Sequence, residues 1–287
     1  MKFAVVAHRR SPTNEALVAA ARAWGLDSEL VDPHRALSLL GPGDVALARL
    51  DVREQLDGIE CGTGELERLA AGGVDVRNRP AALVVAHDKL LTARTLRLAG
   101  LPHPHSTLIT PALPATVPDL PVVLKPRFGS WGRDVERCTT AEELEAALVR
   151  LQGKEWFHEH GALAQELVDP RGWDLRLVVA GGQVVGAACR IAQTGEWRTN
   201  AALGAQVEPV DPPSVAGELA LAAARACRAD LVGVDLLPTQ RGFVVLELNG
   251  AVDFRPVYAP FRNVFADAVA ALLGDADRQP ELAAASG

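Results

Sequence analysis

The sequence predicts an α/β fold in its first part and an α+β fold with an antiparallel sheet in the rest. Up to residue 100, short apolar strands alternate with helical patterns, which is typical of a parallel sheet covered by helices. Later apolar runs face each other across glycine-containing turns, which is typical of antiparallel hairpins. The length of 287 residues favours one or two domains with a large buried core.

The first part contains predicted strands that alternate with helical patterns. Gly25 ends the first helix, and Gly100 with Pro102 ends the last, because glycine and proline are typical helix terminators. The predicted strands are 2–7, 28–32, 44–50 and 74–78, and the predicted helices are 14–25, 64–73 and 81–100.

The remainder begins with a proline-rich segment, 101–121, which is predicted to be a linker with one short strand. A capping box, Thr140 to Glu143, indicates where the next helix begins. The further predicted elements are a strand running into a glycine loop at 121–134, a helix at 139–153, a strand at 162–168, a hairpin at 173–192 with Gly181 and Gly182 at its turn, a helix at 214–230, a hairpin at 232–249, a last helix at 261–273 and a frayed final dozen residues.

Composition excludes several classes of function. A net charge of -7 argues against sequence-independent binding of nucleic acid, which needs a basic face. The N-terminal apolar run is too short for a signal peptide, and no stretch is long enough to span a membrane. We therefore expect a cytoplasmic protein without nucleic-acid or membrane partners. The cysteines form no CxxC pair, which argues against a zinc site or redox dithiol and suits a reducing compartment; they are Cys61, Cys138, Cys189 and Cys227.

Oxygen-bearing side chains lie in the last predicted hairpin, at Asp235, Glu247 and Asn249. If its turn is centred on Gln240 or Arg241, all three share one face of the sheet, whereas a centre between two residues puts Asp235 on the other face. Two carboxylates and an amide at one place need a cation, and hard oxygen ligands suit Mg²⁺. The alternative is a solvated strand end without metal.

A glycine loop follows the predicted strand at 121–126. Gly129 and Gly132 allow backbone N–H groups to approach phosphates, although a plain turn is the commoner explanation of a GxxG loop. Lys125, inside the apolar strand, strengthens the phosphate interpretation because a lysine is costly to bury unless it meets an anion. Lys89 is a second candidate, with an exposed helix lysine as the alternative.

Polar groups of the hairpins complete the candidate site. The strand end at 165–168 offers backbone groups to an adenine ring. Arg176 and Arg190 lie in otherwise apolar strands, and arginine stabilises the charge of a transferring phosphoryl group. Asp174, Arg198 and Asn200 lie nearby in sequence. The HxH pairs at 103–105 and 158–160 have no third ligand, so they indicate loop histidines rather than zinc.

An ordered set of segments resembles the ATP-grasp superfamily of carboxylate–amine ligases. The segments are HDK, VVLKPRFGSWGRD, QELV, DLRLVV, CRIA with RTN, GVDLL and ELN. They cover about residues 86 to 255. The chain is most similar to the branch that holds the glutamate-tail ligases (RimK type) and the amino-group-carrier-protein ligases of lysine and arginine biosynthesis (LysX type). GSWGR, WRTN and NGAVDFR favour the second group.

The resemblance implies an ATP-grasp fold with an N-terminal parallel α/β (pre-ATP-grasp) domain at 1–88, a central lid subdomain at 89–165, and a C-terminal antiparallel subdomain with the metal site at 166–287. It implies transfer of the γ-phosphoryl group to a carboxylate, followed by attack of an amine. The implied ligands are ATP and two Mg²⁺ ions, with Mn²⁺ as a substitute. The implied residues are Lys89, Lys125, Gly129, Ser130, Trp131, Gly132, Gln165, Glu166, Leu167, Val168 and Asp174 for ATP, with Asp174 at the ribose; Arg176, Arg190 and Asn200 for catalysis; and Asp235, Glu247 and Asn249 for metal.

One departure from this family concerns the substrates. Relatives read close to A-R-G-G after the asparagine, whereas this chain has Ala-Leu-Gly-Ala at 202–205. The expected reaction joins an amino acid to the C-terminal glutamate of a small acidic carrier protein, approached past Arg94, Arg97, Arg127 and Arg133. The alternatives are glutamate addition to a ribosomal protein or small metabolite, and a nucleotide-binding scaffold without turnover. The branch also implies a homodimer or homotetramer.

Overall fold

The computed structural model describes residues 1–112 and 117–274, whose strands form three sheets. The first sheet is parallel, in the order β2-β1-β3-β4, which confirms the predicted α/β part. The other two sheets contain antiparallel pairs, which confirms the α+β part.

The parallel sheet is covered by three helices, one of which the sequence pattern missed. The missed helix, α2, is short, and it begins because the Asp32 side chain accepts from the Arg35 amide at 3.0 Å and Pro33 occupies the first position. The elements are β1 (Lys2–Val6), α1 (Pro12–Ala23), β2 (Asp27–Val31), α2 (Pro33–Leu39), β3 (Val45–Ala48), α3 (Thr63–Ala71) and β4 (Asp75–Arg77).

The helix predicted at 81–100 is wrong as a single element, because it is two helices, α4 (Pro80–His87) and α5 (Lys89–Leu98). Asp88 between them has a non-helical backbone, and its carboxylate accepts from the Leu90 amide at 3.0 Å. The same carboxylate pairs with Arg127 of the glycine loop. The break therefore places Lys89 at the first position of α5, next to that loop.

The central sheet has the strand order β5-β8-β6-β7. Its helix α6 begins at the predicted capping residue, because Thr140 Oγ1 accepts from the Glu143 amide at 3.2 Å. A further short helix, α7, was not predicted. The elements are β5 (Ser106–Ile109), β6 (Val122–Pro126), β7 (Glu136–Cys138), α6 (Ala141–Leu151), α7 (Glu155–His160) and β8 (Ala162–Glu166).

The C-terminal sheet has the strand order β11-β10-β9-β12-β13. The last helix begins at Val264 rather than 261, because Asn263 caps it. The predicted frayed end lies mostly outside the described residues. The elements are β9 (Trp173–Ala180), β10 (Gln183–Ile191), a 3-10 turn (Ala201–Leu203), β11 (Gln206–Pro209), α8 (Ser214–Ala226), β12 (Leu231–Thr239), β13 (Gly242–Asn249), a second 3-10 turn (Pro256–Tyr258) and α9 (Val264–Leu273).

The two hairpins differ in register. The first turns at Gly181 and Gly182 as predicted, both with positive φ. In the second, Thr239 pairs with Gly242, so its turn is centred between two residues, which is the alternative that the sequence left open.

A β-bulge in the second hairpin shifts the register by one residue and so cancels the effect of this turn centre on the position of Asp235. Leu236 pairs with Val245 but Asp235 pairs with Glu247, which leaves Leu246 as the extra residue of β13. The bulge thereby brings Asp235 opposite Glu247. No helix in the described residues has the length and apolarity needed to cross a membrane.

Candidate active site

A cleft of about 950 Å³, counting its open mouth, lies between the central and C-terminal sheets; we call it the nucleotide cavity. Lys125 and Gln165 line it from the central sheet, and Leu237, Leu246 and Glu247 line it from the C-terminal hairpin. The bulge explains why the neighbours Leu246 and Glu247 both contribute. The cavity therefore offers apolar walls with a few convergent charges, as small-ligand sites do.

Lys125 is a buried cation with a neutral partner. It lies in β6, is 5% exposed, and its Nζ donates to Gln165 Oε1 at 2.8 Å. Burial lowers its pKa to about 8, and within residues 1–112 and 117–274 it forms no ion pair. Because a buried lysine without a counter-charge is costly, its position favours binding of an anion.

Lys89, at the first position of α5, contacts the glycine loop. Its Nζ donates to the carbonyl of Gly129 and lies 4.0 Å from Glu247 Oε2. Burial is the main influence on Lys89 and lowers its pKa, against the attraction of Glu247. Lys89 and Lys125 thus converge on one cavity, as expected for groups that hold phosphates.

The glycine loop is folded onto the C-terminal sheet. Gly132 has φ +71°, and a Cβ there would lie 2.9 Å from Asn200 Oδ1. Its carbonyl accepts from Arg198 Nη1 at 3.0 Å. Trp131 lies between two guanidinium groups, 5.0 Å from Arg9 and 4.6 Å from Arg133. These contacts join the loop to all three parts of the molecule.

The strand end expected to meet adenine is partly occupied by backbone contacts. The Glu166 amide donates to the His105 carbonyl at 2.8 Å, and the Leu167 amide donates to the Pro121 carbonyl at 3.1 Å. Gln165, the remaining polar side chain, is held between Lys125 and Ser106. Of the three amides at 166–168, only that of Val168 has no backbone acceptor in the part of the chain that the structure describes.

Four charged side chains form a buried cluster on the C-terminal sheet, which we call the arginine–aspartate network. Asp235 accepts from Arg176 Nε and Nη2, both at 2.6 Å, and from Arg190 Nη2 at 2.8 Å. Asp174 accepts from Arg190 Nε at 2.7 Å and from the Thr199 hydroxyl. The pairing across strands follows from the register, in which Asp235 faces Arg176.

Electrostatics differ between the two aspartates. Burial alone would raise both pKa values. At Asp235 the charges of Arg176 and Arg190 outweigh burial and hold its pKa below the usual range. At Asp174 burial prevails over Arg190 and raises the pKa. Because Asp174 is fully buried and already bonded to Arg190 and Thr199, the structure does not favour the expected contact with a ribose.

Glu247 and Asn249 fit a magnesium ion better than Asp235 does. Within the described residues the Glu247 carboxylate accepts no hydrogen bond, and its nearest cation is Lys89. Asn249 has a buried Nδ2 without a partner. Asp235 already accepts three hydrogen bonds and, with about four lone pairs, retains roughly one for a metal. These hard oxygen donors suit Mg²⁺ that also binds phosphate and water.

Residues 1–112 and 117–274 contain no group of three or more His, Cys, Asp or Glu placed to hold a metal ion. The protein side chains alone therefore make an incomplete ligand set. Magnesium bound here would take its other ligands from phosphate oxygens and water.

A second cavity adjoins the first and contains residues that sequence reasoning missed. It is lined by Asp51, Asp253, Arg255 and Tyr258, together with Asn249. The two cavities share the residues Ser130, Trp131, Arg190, Asn200 and Glu247. No local pattern indicates the second cavity, because its residues come from strands and loops far apart in sequence.

Of the four arginines predicted to form a basic approach, three line neither cavity, and their role towards a carrier protein stays a prediction. Arg127 is bonded to Asp88 at 2.9 and 2.6 Å. Arg94 and Arg97 are exposed on α5 and line neither cavity. Arg133 does line the nucleotide cavity, where it stacks on Trp131.

Comparison with known proteins gives a consistent family. A family model described as RimK-like ATP-grasp domain matches residues 86–260. The Glutamate--LysW ligase ArgX of Sulfurisphaera tokodaii is 29% identical over 194 residues, covering 65% of this chain and 68% of that protein. A probable alpha-L-glutamate ligase of Pasteurella multocida is 32% identical, covering 66% and 61%. One of Thioalkalivibrio sulfidiphilus is 29% identical, covering 88% of each.

Solved structures share the fold over almost the whole chain. The RimK domain protein ATP-grasp from Sphaerobacter thermophilus has a TM-score of 0.69 at 25% identity and covers 96% of this chain and 100% of that one. D-alanine--D-Alanine Ligase from Bacillus anthracis complexed with ATP has a TM-score of 0.69 at 16% identity, covering 97% and 98%. At that identity the second likeness concerns the fold alone.

Proposed function

The chain belongs to the RimK-like ATP-grasp family, and on that premise we propose that it is an ADP-forming ligase that joins a carboxylate to the amino group of an amino acid. The observation that carries the proposal is the junction of two cavities at Arg190, Asn200 and Glu247. A transfer from a nucleotide to a second substrate requires two sites that open onto one point.

ATP would occupy the nucleotide cavity. Lys125 and Lys89 offer positive charge to its phosphates, and the loop from Gly129 to Gly132 covers them. The backbone at 166–168 would meet the adenine, with Val168 as the available amide donor. Solved structures of the ATP-grasp ligase PsnB contain Mg and ADP, which supports this assignment at the level of the fold.

Magnesium held by Glu247, Asn249 and Asp235 would neutralise the phosphate oxygens. Two ions, with Mn²⁺ as a substitute, remain our prediction. Glu247 is the central ligand in this proposal, because it lines both cavities and its carboxylate accepts no hydrogen bond from the described residues.

Arg190 and Asn200 would act at the γ-phosphate. A carboxylate oxygen attacks the γ-phosphorus, the bond to the β–γ bridging oxygen breaks, and ADP leaves with an acylphosphate formed. The neutral amine then attacks the acyl carbon, phosphate leaves, and the nitrogen gives one proton to solvent and keeps the other in the amide. Since Asp174 and Asp235 fix the guanidinium of Arg190, little reorganisation is needed to stabilise the developing charge.

We propose as acceptor the C-terminal glutamate of a small acidic carrier protein, and glutamate as an amino acid of the right class. The Sulfurisphaera relative, which is named as a ligase of glutamate and LysW, supports this choice. Relatives named alpha-L-glutamate ligases support the alternative of another protein or a small metabolite as acceptor. A scaffold without turnover is disfavoured, because Lys89, Lys125 and Glu247 are all present in one cavity.

The test is ADP release from the protein incubated with ATP, Mg²⁺ and amino acids, with and without a small acidic protein that ends in glutamate. Release that depends on that protein supports the carrier-protein ligase. Release with amino acids alone supports a small-molecule ligase. If the wild type binds ATP but releases no ADP under any condition, and the Glu247→Gln variant behaves in the same way, the result contradicts the ligase proposal and favours the scaffold.

A further inference from the structure

We propose that Arg255 binds the side-chain carboxylate of the amino-acid substrate and thereby selects an acidic amino acid; the inference rests on the ligase function proposed above. Arg255 lies in the second cavity but not in the nucleotide cavity.

Of the arginines that line the second cavity, Arg255 is the one without a carboxylate partner among the described residues. Three arginines line it, Arg176, Arg190 and Arg255. The first two are neutralised within the arginine–aspartate network. The guanidinium of Arg255, in contrast, has no ion pair or hydrogen bond to any residue that the structure describes, and its side chain is exposed. It is thus the cation of this cavity that remains available to a ligand.

The backbone that carries Arg255 is held firmly. Phe254 is 2% exposed and stacks on Phe265 with ring centroids 4.9 Å apart. Its amide and carbonyl both bond to the Thr13 hydroxyl at 3.2 Å. The Arg255 carbonyl accepts from the Tyr258 amide at 3.0 Å. The guanidinium therefore extends from a fixed point, which reduces the ordering cost of binding an anion.

The location of Arg255 distinguishes its anion from the reacting carboxylate. The reacting carboxylate must lie at the junction beside Arg190 and Asn200, where the γ-phosphate arrives. Arg255 lies beyond that junction, so it suits a second carboxylate. Ala201 and Ala202 line the same cavity and supply no charge, and Leu203 is directed to the glycine loop, 3.2 Å from a Cβ built on Gly132.

Carboxylates in the same cavity suit the amino group of that substrate. Asp51 and Asp253 both line it. Their arginine partners are distant, at 3.7 Å for Arg9 with Asp51 and 3.6 Å for Arg49 with Asp253. An amino acid with an acidic side chain carries a positive amino group and a negative side-chain carboxylate. Glutamate and aspartate differ only in the distance between these two groups.

The experiment measures binding of L-glutamate, L-aspartate and L-glutamine to the full chain saturated with ADP and Mg²⁺, by calorimetry. Arg255→Ala is expected to weaken L-glutamate binding roughly 10- to 100-fold, which is the loss of a charge-assisted hydrogen bond. Binding of ADP and of neutral L-glutamine should not change, and Arg255→Lys should retain part of the affinity. Arg262→Ala is the matched control, because Arg262 pairs with Asp267 and lines neither cavity.

Equal L-glutamate affinity in the wild type and Arg255→Ala would overturn the inference, as would a wild type that prefers glutamine or binds no acidic amino acid. Unchanged glutamate binding with loss of carrier-dependent ADP release would assign Arg255 to the protein acceptor, which also overturns it. ADP release by the wild type judges the ligase proposal separately. Glutamate binding that needs Arg255, without any ADP release, would contradict the ligase function alone.

Discussion

Two neighbouring regions differ in whether their charged side chains are paired within the protein. In the arginine–aspartate network, every carboxylate meets a guanidinium within the protein. Around the two cavities, Lys125 and Arg255 have no carboxylate partner among the described residues, and Glu247 has only Lys89 at 4.0 Å. Paired buried charges fix the sheet, whereas a buried charge without a partner, as on Lys125, costs folding free energy until a ligand arrives. Arg255 is exposed and carries no such cost. The difference predicts which substitutions change stability and which change function.

The largest expected effect contrasts Asp235→Ala with Glu247→Gln. Removal of Asp235 leaves Arg176 and Arg190 buried without their shared partner, so we expect a loss of about 3–5 kcal/mol in the free energy of unfolding. Glu247→Gln removes no hydrogen bond among the described residues but takes away the charge that attracts Lys89 at 4.0 Å, so we expect a smaller loss of about 1 kcal/mol while ADP release falls at least ~100-fold.

Urea unfolding and ADP release measured on both variants test this contrast. Asp235→Asn is the control for size, since it keeps the shape and loses the charge. Equal destabilisation by Asp235→Ala and Glu247→Gln would show that the two regions do not differ as proposed.

The next prediction concerns Lys125→Met, which should stabilise the free protein and weaken ATP binding. Burial lowers the Lys125 pKa from 10.5 to about 8, so keeping it charged at pH 7 costs about 3 kcal/mol. Between pH 8 and 10.5 the unfolded chain holds a proton that the folded chain has released, so this residue makes wild-type stability rise with pH there.

Urea unfolding at pH 7 and pH 10, together with ATP affinity, measures both consequences. In Lys125→Met the rise in stability between the two pH values that Lys125 causes should disappear. Lys154→Met is a suitable control, because Lys154 pairs with Asp134 at 2.8 Å and lines neither cavity. A destabilised Lys125→Met protein with unchanged ATP affinity would contradict the anion role.

Local patterns in the sequence predicted the elements better than the contacts between them. The alternation up to residue 100 and the Gly181–Gly182 turn need only neighbouring residues, and both predictions are confirmed. At the helix break, Asp88 caps α5 and also pairs with Arg127, 39 residues away. Helical periodicity carries no information about the contact with Arg127, so the apolar pattern predicted one continuous helix.

The candidate site was predictable where a polar residue interrupts an apolar strand, as Lys125 does. The pairing of Asp235 with Arg176 was not, because it depends on β12 lying beside β9. The register of Asp235 and Glu247 depended on a bulge that compensates for the turn. The second cavity is assembled from strands and loops far apart in sequence. The NGAVDFR segment contributed to the family resemblance, but nothing in it placed Arg255 in a cavity.

A smaller effect is expected from Gly132→Ala, which tests how the glycine loop closes over the charged side chains of the nucleotide cavity. The new Cβ would lie 2.9 Å from Asn200 Oδ1 at a backbone φ of +71°, so the loop must shift. We expect kcat/KM to fall roughly 10- to 100-fold. Gly100→Ala is the matched control, with φ +69° and no atom within 4 Å. Both should lose about 1 kcal/mol of stability; equal kinetics would contradict the loop's role.

The smallest effect concerns Arg9→Ala, which removes one of the two cations that flank Trp131. A partly exposed cation–π contact contributes about 0.5–1 kcal/mol, so closure of the loop should weaken by that amount and KM for ATP should rise roughly 2- to 5-fold. Arg10→Ala is the control, because its side chain is 80% exposed and pairs only with Glu15. Arg9→Lys should restore part of the effect, since lysine keeps the charge but stacks less well. The same KM in Arg9→Ala and Arg10→Ala would mean that the loop closes through Gly132 and Arg198 alone.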